Sequence, residues 1–296
     1  MNIMPNTILT PQIIAREALM VLRNNAVMAN LVHRDFSNEF VAGVGDTITV
    51  RKPAKFDAKE FNGSITVQDA TESGVAVKMD KHLDVSFAVT SKEMALSIAD
   101  FSEQLLVPAM QAFADKIDKY ILGLESDITN RVHFDGTGAI QDAIVDARKY
   151  LTDAAAPLTD RRYVYGSKVE SDLLKTDLFI SAERVGDEGT ALREASLGRR
   201  FGLDFYVDQN IEPITDGQDT YTPSIAFHKN AFALVTRPLE LPLGAAQSAI
   251  VNYDGLGLRV VYGYNQNTKT DTISIDMLCG VKTLDKNLAA VISDER

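Results

Sequence analysis

Leu105-Leu106-Val107-Pro108-Ala109-Met110-Gln111-Ala112-Phe113-Ala114-Asp115-Lys116-Ile117-Asp118-Lys119-Tyr120-Ile121-Leu122-Gly123-Leu124 is the stretch on which the fold turns. Between Asp100 and Ile128, Leu106, Met110, Phe113, Ile117, Tyr120, Ile121, Leu124 and Ile128 recur at spacings of three and four. That period predicts a helix with one apolar stripe, with Asp115, Lys116, Asp118 and Lys119 on the solvated side. Helical throughout, the segment would run about 43 Å at ~1.5 Å per residue. Pro108 must then kink it or sit in its first turn. A helix longer than the usual ~11 residues serves as a spine for other elements.

Upstream of the spine, Leu83, Val85, Phe87 and Val89 alternate with His82, Asp84, Ser86 and Ala88, the period-two pattern of a half-buried strand. Asp46 to Arg51 alternates in the same way and ends before Pro53. The polar excursion between these strands carries turn signals at Asn62-Gly63 and Ser73-Gly74, and Ile65–Val67 is expected to pair with Val75–Val77. An isolated two-stranded ribbon is marginal in water, so its aromatics, Phe56 and Phe61 beside Lys59, need something to pack on. The expectation is an adjacent subunit, and the plainer reading is the ribbon's own subunit. Ser91-Lys92-Glu93 opens a short helix. Nearer the N-terminus, Thr10-Pro11 is a helix start, a Thr cap with Pro in the first turn, and the helix runs to about Asn24. Its Ile13, Ile14 and Leu22 are too apolar for a solvated terminal helix and are expected to dock on a neighbour or on the spine.

Downstream, Asn130 to Gly138 is a turn-rich break and a candidate boundary. Alternating elements follow: helices near Ala139–Asp153, Lys168–Lys175 and Ala191–Leu197, and strands near Arg162–Tyr165, Leu203–Val207, Ile225–Phe227 and Ala231–Val235. Gly186 to Gly189 and Ile214 to Thr222 read as polar loops. Leu258–Tyr262 and Thr272–Leu278 flank Asn265 to Lys269 as a long β-hairpin, and Leu284–Ile292 closes the chain as a helix or strand.

The 296 residues are enough for a sizeable core and one or two domains, α+β in class. Forty-one acidic against 30 basic residues leave a net charge of −11, which argues against whole-molecule affinity for nucleic acid. A single cysteine, Cys279, excludes an intrachain disulfide framework and any cysteine-based zinc site. The opening Met-Asn-Ile-Met-Pro does not read as a signal peptide, and no apolar run reaches the ~20 residues of a membrane span. His33, His82, His133 and His228 stand far apart and read as isolated surface or strand histidines. Gly255-Leu256-Gly257 fits a hairpin turn or bulge, since Val260 occupies the third glycine position of a dinucleotide loop. Arg161-Arg162 and Arg199-Arg200 read as surface or interface cations. No catalytic residue, cofactor site or metal site is expected.

The order of these parts resembles the major capsid proteins of tailed bacteriophages, the Hong Kong 97-type fold. Thr10 to Leu19 and Val85 to Glu93 are similar to the coat-protein family typified by the short-tailed Salmonella phage coat. So is the pairing of Ala226 to Ala233 with Leu258 to Tyr264. The resemblance implies an N-arm over 1–35, an extended E-loop over 46–90, a peripheral domain with the spine helix over 91–135 and 250–275, and a mixed α/β axial domain over 136–249 and 276–296. It implies hexamers and pentamers in an icosahedral shell around double-stranded DNA, held without specific binding. A portal and a separate scaffolding protein are implied as partners, with no membrane, and assembly in the bacterial host cytoplasm. Inter-subunit contacts are expected at Ile13, Ile14, Leu22, Phe56, Lys59 and Phe61. The chain is too short for the inserted domain of the Salmonella-type coat, and no cross-linking pair can be matched. Two alternatives stand beside this reading: an encapsulin-type shell around a cargo enzyme, and a cytosolic α/β enzyme with an unrecognised site.

Overall fold

The computed structural model describes residues 11–34, 47–52, 73–90, 102–135, 139–176, 197–216, 219–244, 247–253, 255–265 and 270–294, with positions 58, 60 and 63 besides. Helix α1 (Pro11–Asn25) opens on proline and buries Ile14, Ala15, Ala18, Leu19 and Leu22, a stripe at helical spacing. One turn, α2 (Met28–Leu31), follows. Strands β1 (Thr47–Lys52), β2 (Ser73–Lys78) and β3 (Lys81–Thr90) precede the spine.

The spine is shorter than its apolar period predicts. A π-turn at Ser102–Leu106 leads into helix α3 (Val107–Leu122), and a 3-10 turn at Gly123–Asp127 closes it. Pro108 sits in the first turn of α3, the position where proline is best tolerated. The apolar stripe continues through both ends because π and 3-10 turns keep a similar face inward while changing the winding.

Beyond it lie β4 (Arg131–His133), α4 (Ile140–Asp153), β5 (Arg161–Tyr165), α5 (Ser167–Leu174), β6 (Arg199–Arg200) and β7 (Leu203–Val207). Then come β8 (Ile214–Asp216), β9 (Asp219–Tyr221), β10 (Pro223–His228), β11 (Phe232–Arg237), β12 (Gln247–Tyr253), β13 (Leu256–Asn265), β14 (Thr270–Thr283) and β15 (Ala289–Ser293). Most strands form two sheets. A six-stranded mixed sheet has the order β4-β15-β10-β5-β7-β6. The other is antiparallel, with β11 and β13 following one another along one edge of β14, β12 outside β13, and β3 along the opposite edge.

The expected β-hairpin is β13–β14, with Val260 opposite Ile275 and Tyr262 opposite Ile273. Four details differ from the sequence reading. Val75 and Val77 pair with Val50 and Ile48 of β1, because these apolar alternations match in register; residues 65–67 lie outside the described residues. The stretch read as a loop after Ile214 holds the small ribbon β8–β9, with the Thr215 and Thr220 hydroxyls 3.1 Å apart. The break after Asn130 contains β4, added parallel to β15. Strand β12, whose Gln247-Ser248-Ala249-Ile250 start carries little apolar alternation, was not legible, and its partner β13 supplies its hydrogen bonds. The expected helices at 91–93 and 191–196 and the loop at 186–189 lie outside the described residues.

The six-stranded sheet is covered on both faces. Tyr163, Tyr165, Ala226, Ala290 and Ile292 meet Ile140, Ile144, Ala147 and Leu151 of α4. The alternate residues Val164, Ile225, Phe227 and Val291 belong to the core that α1, α3 and the antiparallel sheet share. Strand β14 runs unbroken through the 275/276 boundary expected between peripheral and axial parts.

Candidate assembly surfaces

Helix α1 packs on α3, β12 and β13 of its own chain. Ile14 and Leu22 are fully buried there, so the inter-subunit contact expected of them gives way to a place in the subunit's own core. Ile13 points outward, 43% exposed. Helical spacing puts Arg16, Met20 and Arg23 on its side, at i+3, i+7 and i+10, and Met20 is 60% exposed. A groove of about 620 Å³ lies between this face and β12, lined by Arg16, Leu19, Met20, Arg23, Ile250, Val251 and Asn252. It is apolar at its base and basic at its rim, on a chain with net charge −11.

The joint between α1 and α2 is pinned to the spine by a side chain that the sequence reading placed in water. Asp118 is buried, and its carboxylate accepts the backbone N–H of Val27 at 2.8 Å and of Ala29 at 3.0 Å. These are donors that a one-turn helix cannot satisfy internally. Burial pushes the Asp118 carboxyl up to about 7, against the pull of those two donors, and Asp208 and Asp115 push the same way. The spacing could have revealed this: Asp118 stands four residues after Ala114 and three before Ile121, both buried. Asp115, Lys116 and Lys119 are exposed as expected. After α2 the Leu31 carbonyl accepts from Arg162, and His33 bridges to β11 through Phe232 and Leu234 backbone groups.

The ribbon β1–β2 is fastened at its root. Val50, Val77 and Met79 pack against Ala233, Val235 and Leu284. Beside them β14 passes so close that a Cβ at Gly280 would lie 2.3 Å from the Lys78 carbonyl oxygen. Glycine is what permits that approach. The ribbon's far end, with Phe56, Lys59 and Phe61, lies outside the described residues.

The antiparallel sheet turns Leu83, Leu258, Val260, Ile273, Ile275 and Met277 inward. Its other face is polar. Arg259 donates to both Asp276 oxygens, with Nε to Oδ1 at 2.9 Å, and His82 Nε2 stands 3.7 Å from Asp276 Oδ2. Ser274 donates to Asp84 at 2.8 Å. Gly255, at φ +75°, makes the β12–β13 turn, as expected for the Gly-Leu-Gly stretch. A side chain at Gly257 would meet Asn252 Oδ1 at 2.2 Å.

Arg161, read as a surface or interface cation, and His228, read as a surface or strand histidine and found at the end of β10, are both buried. Arg161 gives its guanidinium to the Pro157 and Ala156 carbonyls at 2.8 and 2.7 Å and to the Thr152 hydroxyl at 3.0 Å, closing the end of α4. The ring of His228 accepts the Asn230 N–H at 3.2 Å, and burial holds its pKa below the ordinary histidine range. Each fills a structural need that residue type alone does not reveal. Among the described residues no group of three or more His, Cys, Asp or Glu is placed to hold a metal, and no helix is long and apolar enough to cross a membrane.

No family model matches the sequence, and no curated protein matches it. Solved structures do match in three dimensions. A chain of Mycobacterium phage Che8 is 19% identical over 90% of each chain, with a TM-score of 0.67. A chain from the capsid of cyanophage P-SCSP1u is 12% identical, over 85% of this chain and 84% of that one, with a TM-score of 0.60. The fold is the Hong Kong 97-type capsid fold. A virus-like particle from Pyrococcus furiosus shares it at 12% identity, covering 94% of this chain and 97% of that one, with a TM-score of 0.54. Helices α1 and α2 fall within the stretch expected as the N-arm, β1–β2 within that expected as the E-loop, and α3 within that expected as the spine.

Proposed function

We propose that this chain is the major capsid protein of a tailed bacteriophage, a structural subunit that assembles with many copies of itself into the icosahedral shell around a double-stranded DNA genome. The observation that carries this reading is agreement of fold over nearly the whole chain with phage capsid structures. The reading divides the chain as the resemblance implies, with peripheral and axial parts joined through β14. Hexamers and pentamers form the shell, a separate scaffolding protein and a portal join its assembly in the host cytoplasm, and the DNA inside is held without specific contacts. The net charge of −11 suits a wall that does not grip DNA.

The contact chemistry supports assembly through arms. The outward face of α1 offers Ile13 and Met20 beside Arg16 and Arg23, and β12 adds Ile250 across the groove. The E-loop stretch from Phe56 to Phe61 carries two aromatics with Asp57, Lys59 and Glu60. The two aromatics suit the apolar base of the groove and the mixed charges around both set register, so the loop of one copy is assigned to the groove of the next. A heterologous contact of this kind forms rings when its rotation closes.

Negative-stain microscopy of the purified full chain, alone and with the scaffold of its source phage, tests the reading. Closed particles or capsomers are expected, and a monodisperse monomer under both conditions overturns it. Protein cargo inside the particles, with no DNA packaged during infection, would favour the encapsulin-type compartment that the Pyrococcus particle brings to mind.

A further inference from the structure

Where the N-arm, the spine and the end of β7 meet, three aspartates converge. Asp118 of α3 takes the two N-arm donors described above. Asp208, directly after β7, is 1% exposed; its Oδ1 accepts the Asn210 N–H at 2.8 Å, while its buried Oδ2 has no hydrogen-bond partner. The Asn210 side chain reaches on to Asp115 Oδ1 at 3.3 Å.

The surrounding charges do not neutralise this cluster. Residues 26–31 of the arm carry no titratable group. On α3, Lys119 is engaged by Glu212 and Asp115 adds negative charge. From β5, Arg162 donates to the Leu31 carbonyl. Two buried carboxylates with one orphaned oxygen, and with no cation paired to either among the described residues, cannot both stay ionised at reasonable cost. The group that satisfies the orphaned oxygen and removes the repulsion is a hydrogen ion.

We propose that this junction is a proton-binding site, and that docking of the N-arm on the spine takes up a proton shared by Asp118 and Asp208. With the arm away, Asp118 faces water and returns to the ordinary carboxylate range. In the docked state burial, with Asp208 and Asp115 nearby, raises the pKa from 3.8 to about 7 against the pull of the two arm donors. The docked state therefore binds more protons between those values, so docking is strongest at the acid end, weakens as pH rises through them, and levels off above about pH 7. The inference concerns this chain's own arm and holds whether or not the chain forms a shell.

Amide hydrogen exchange of residues 22–34 in the full-length protein at pH 5.5, 7 and 8, corrected for intrinsic exchange rates, measures arm docking. Protection is expected to fall by about tenfold or more from pH 5.5 to 8, following the tenfold change in proton binding per pKa unit. Asp118→Asn needs no proton and keeps one acceptor oxygen in place of two, so its arm should be less protected than the wild-type arm at pH 5.5 but with a flat profile from pH 5.5 to 8. Asp208→Asn removes a like charge from beside Asp118 and should shift the wild-type profile to lower pH. A pH profile of Asp118→Asn that parallels the wild type overturns the proposal. So does protection of the wild-type arm at pH 8 by millimolar calcium or magnesium, which would make the junction a cation site.

Discussion

The six-stranded sheet and the antiparallel sheet bury their strands differently. Every residue of β10 and β15 is buried, because one face meets α4 and the other meets the core shared with α1 and α3. In β3 burial alternates along the strand, with Leu83 inside and His82, Asp84, Ser86 and Ala88 outside. A doubly covered sheet reads as a continuous apolar run and stabilises the subunit. A sheet with one free polar face, edged by an arm and a ribbon, leaves surface for other molecules. The difference separates what folds the subunit from what the subunit presents.

Phe227→Ala tests the interior most severely. The ring is fully buried and meets Phe232 edge-on at a centroid distance of 5.3 Å. Unfolding of the unassembled subunit in denaturant should lose about 3–5 kcal/mol, with particle yield falling in parallel. Leu22→Ala extends the test to the N-arm: a loss of about 2–4 kcal/mol is expected if α1 belongs to the subunit core, and an unchanged midpoint would return Leu22 to an interface role. Gly280→Ala probes the ribbon root. Its methyl group would collide with backbone at Lys78, so about 1–3 kcal/mol of stability and the seating of β2 should be lost together. Phe61→Asp and Ile13→Asp should divide the two regions. Subunit melting should move by less than about 0.5 kcal/mol while sedimentation shows sharply reduced particle yield. Equal loss of melting temperature and yield would instead place these side chains against their own subunit. Lys59→Glu should have the smallest effect, a yield defect that added salt diminishes, as expected of a partly exposed charge.

Periodicity alone, with no alignment, made much of the architecture legible. Helices α1, α4 and α5, the β13–β14 hairpin and strands β3, β5, β7 and β10 lie where apolar spacing puts them, because each buries one stripe or face in a core large enough to demand it. The candidate site was less legible. Ile14 and Leu22 were recognised as needing cover, but the sequence does not say whose surface provides it, and the spine and β12 do. Ile13, one residue from Ile14, faces outward because successive helical residues lie about a quarter-turn apart.

The sequence by itself determined the class of the fold, the single-face logic of its helices and strands, and the exclusion of disulfide and cysteine–zinc chemistry through its lone Cys279. These depend on local period and composition, which each segment carries alone. Tertiary structure alone decided the pairing of β1 with β2, the burial of Asp118 and Arg161, and the meeting of Asp118 with Asp208. A charged side chain reads as solvated until another part of the chain brings it donors. Val27 and Ala29 lie about ninety residues from Asp118, as does Asp208 on the other side. No local pattern records which distant backbone groups will need an acceptor, so that choice belongs to the packing.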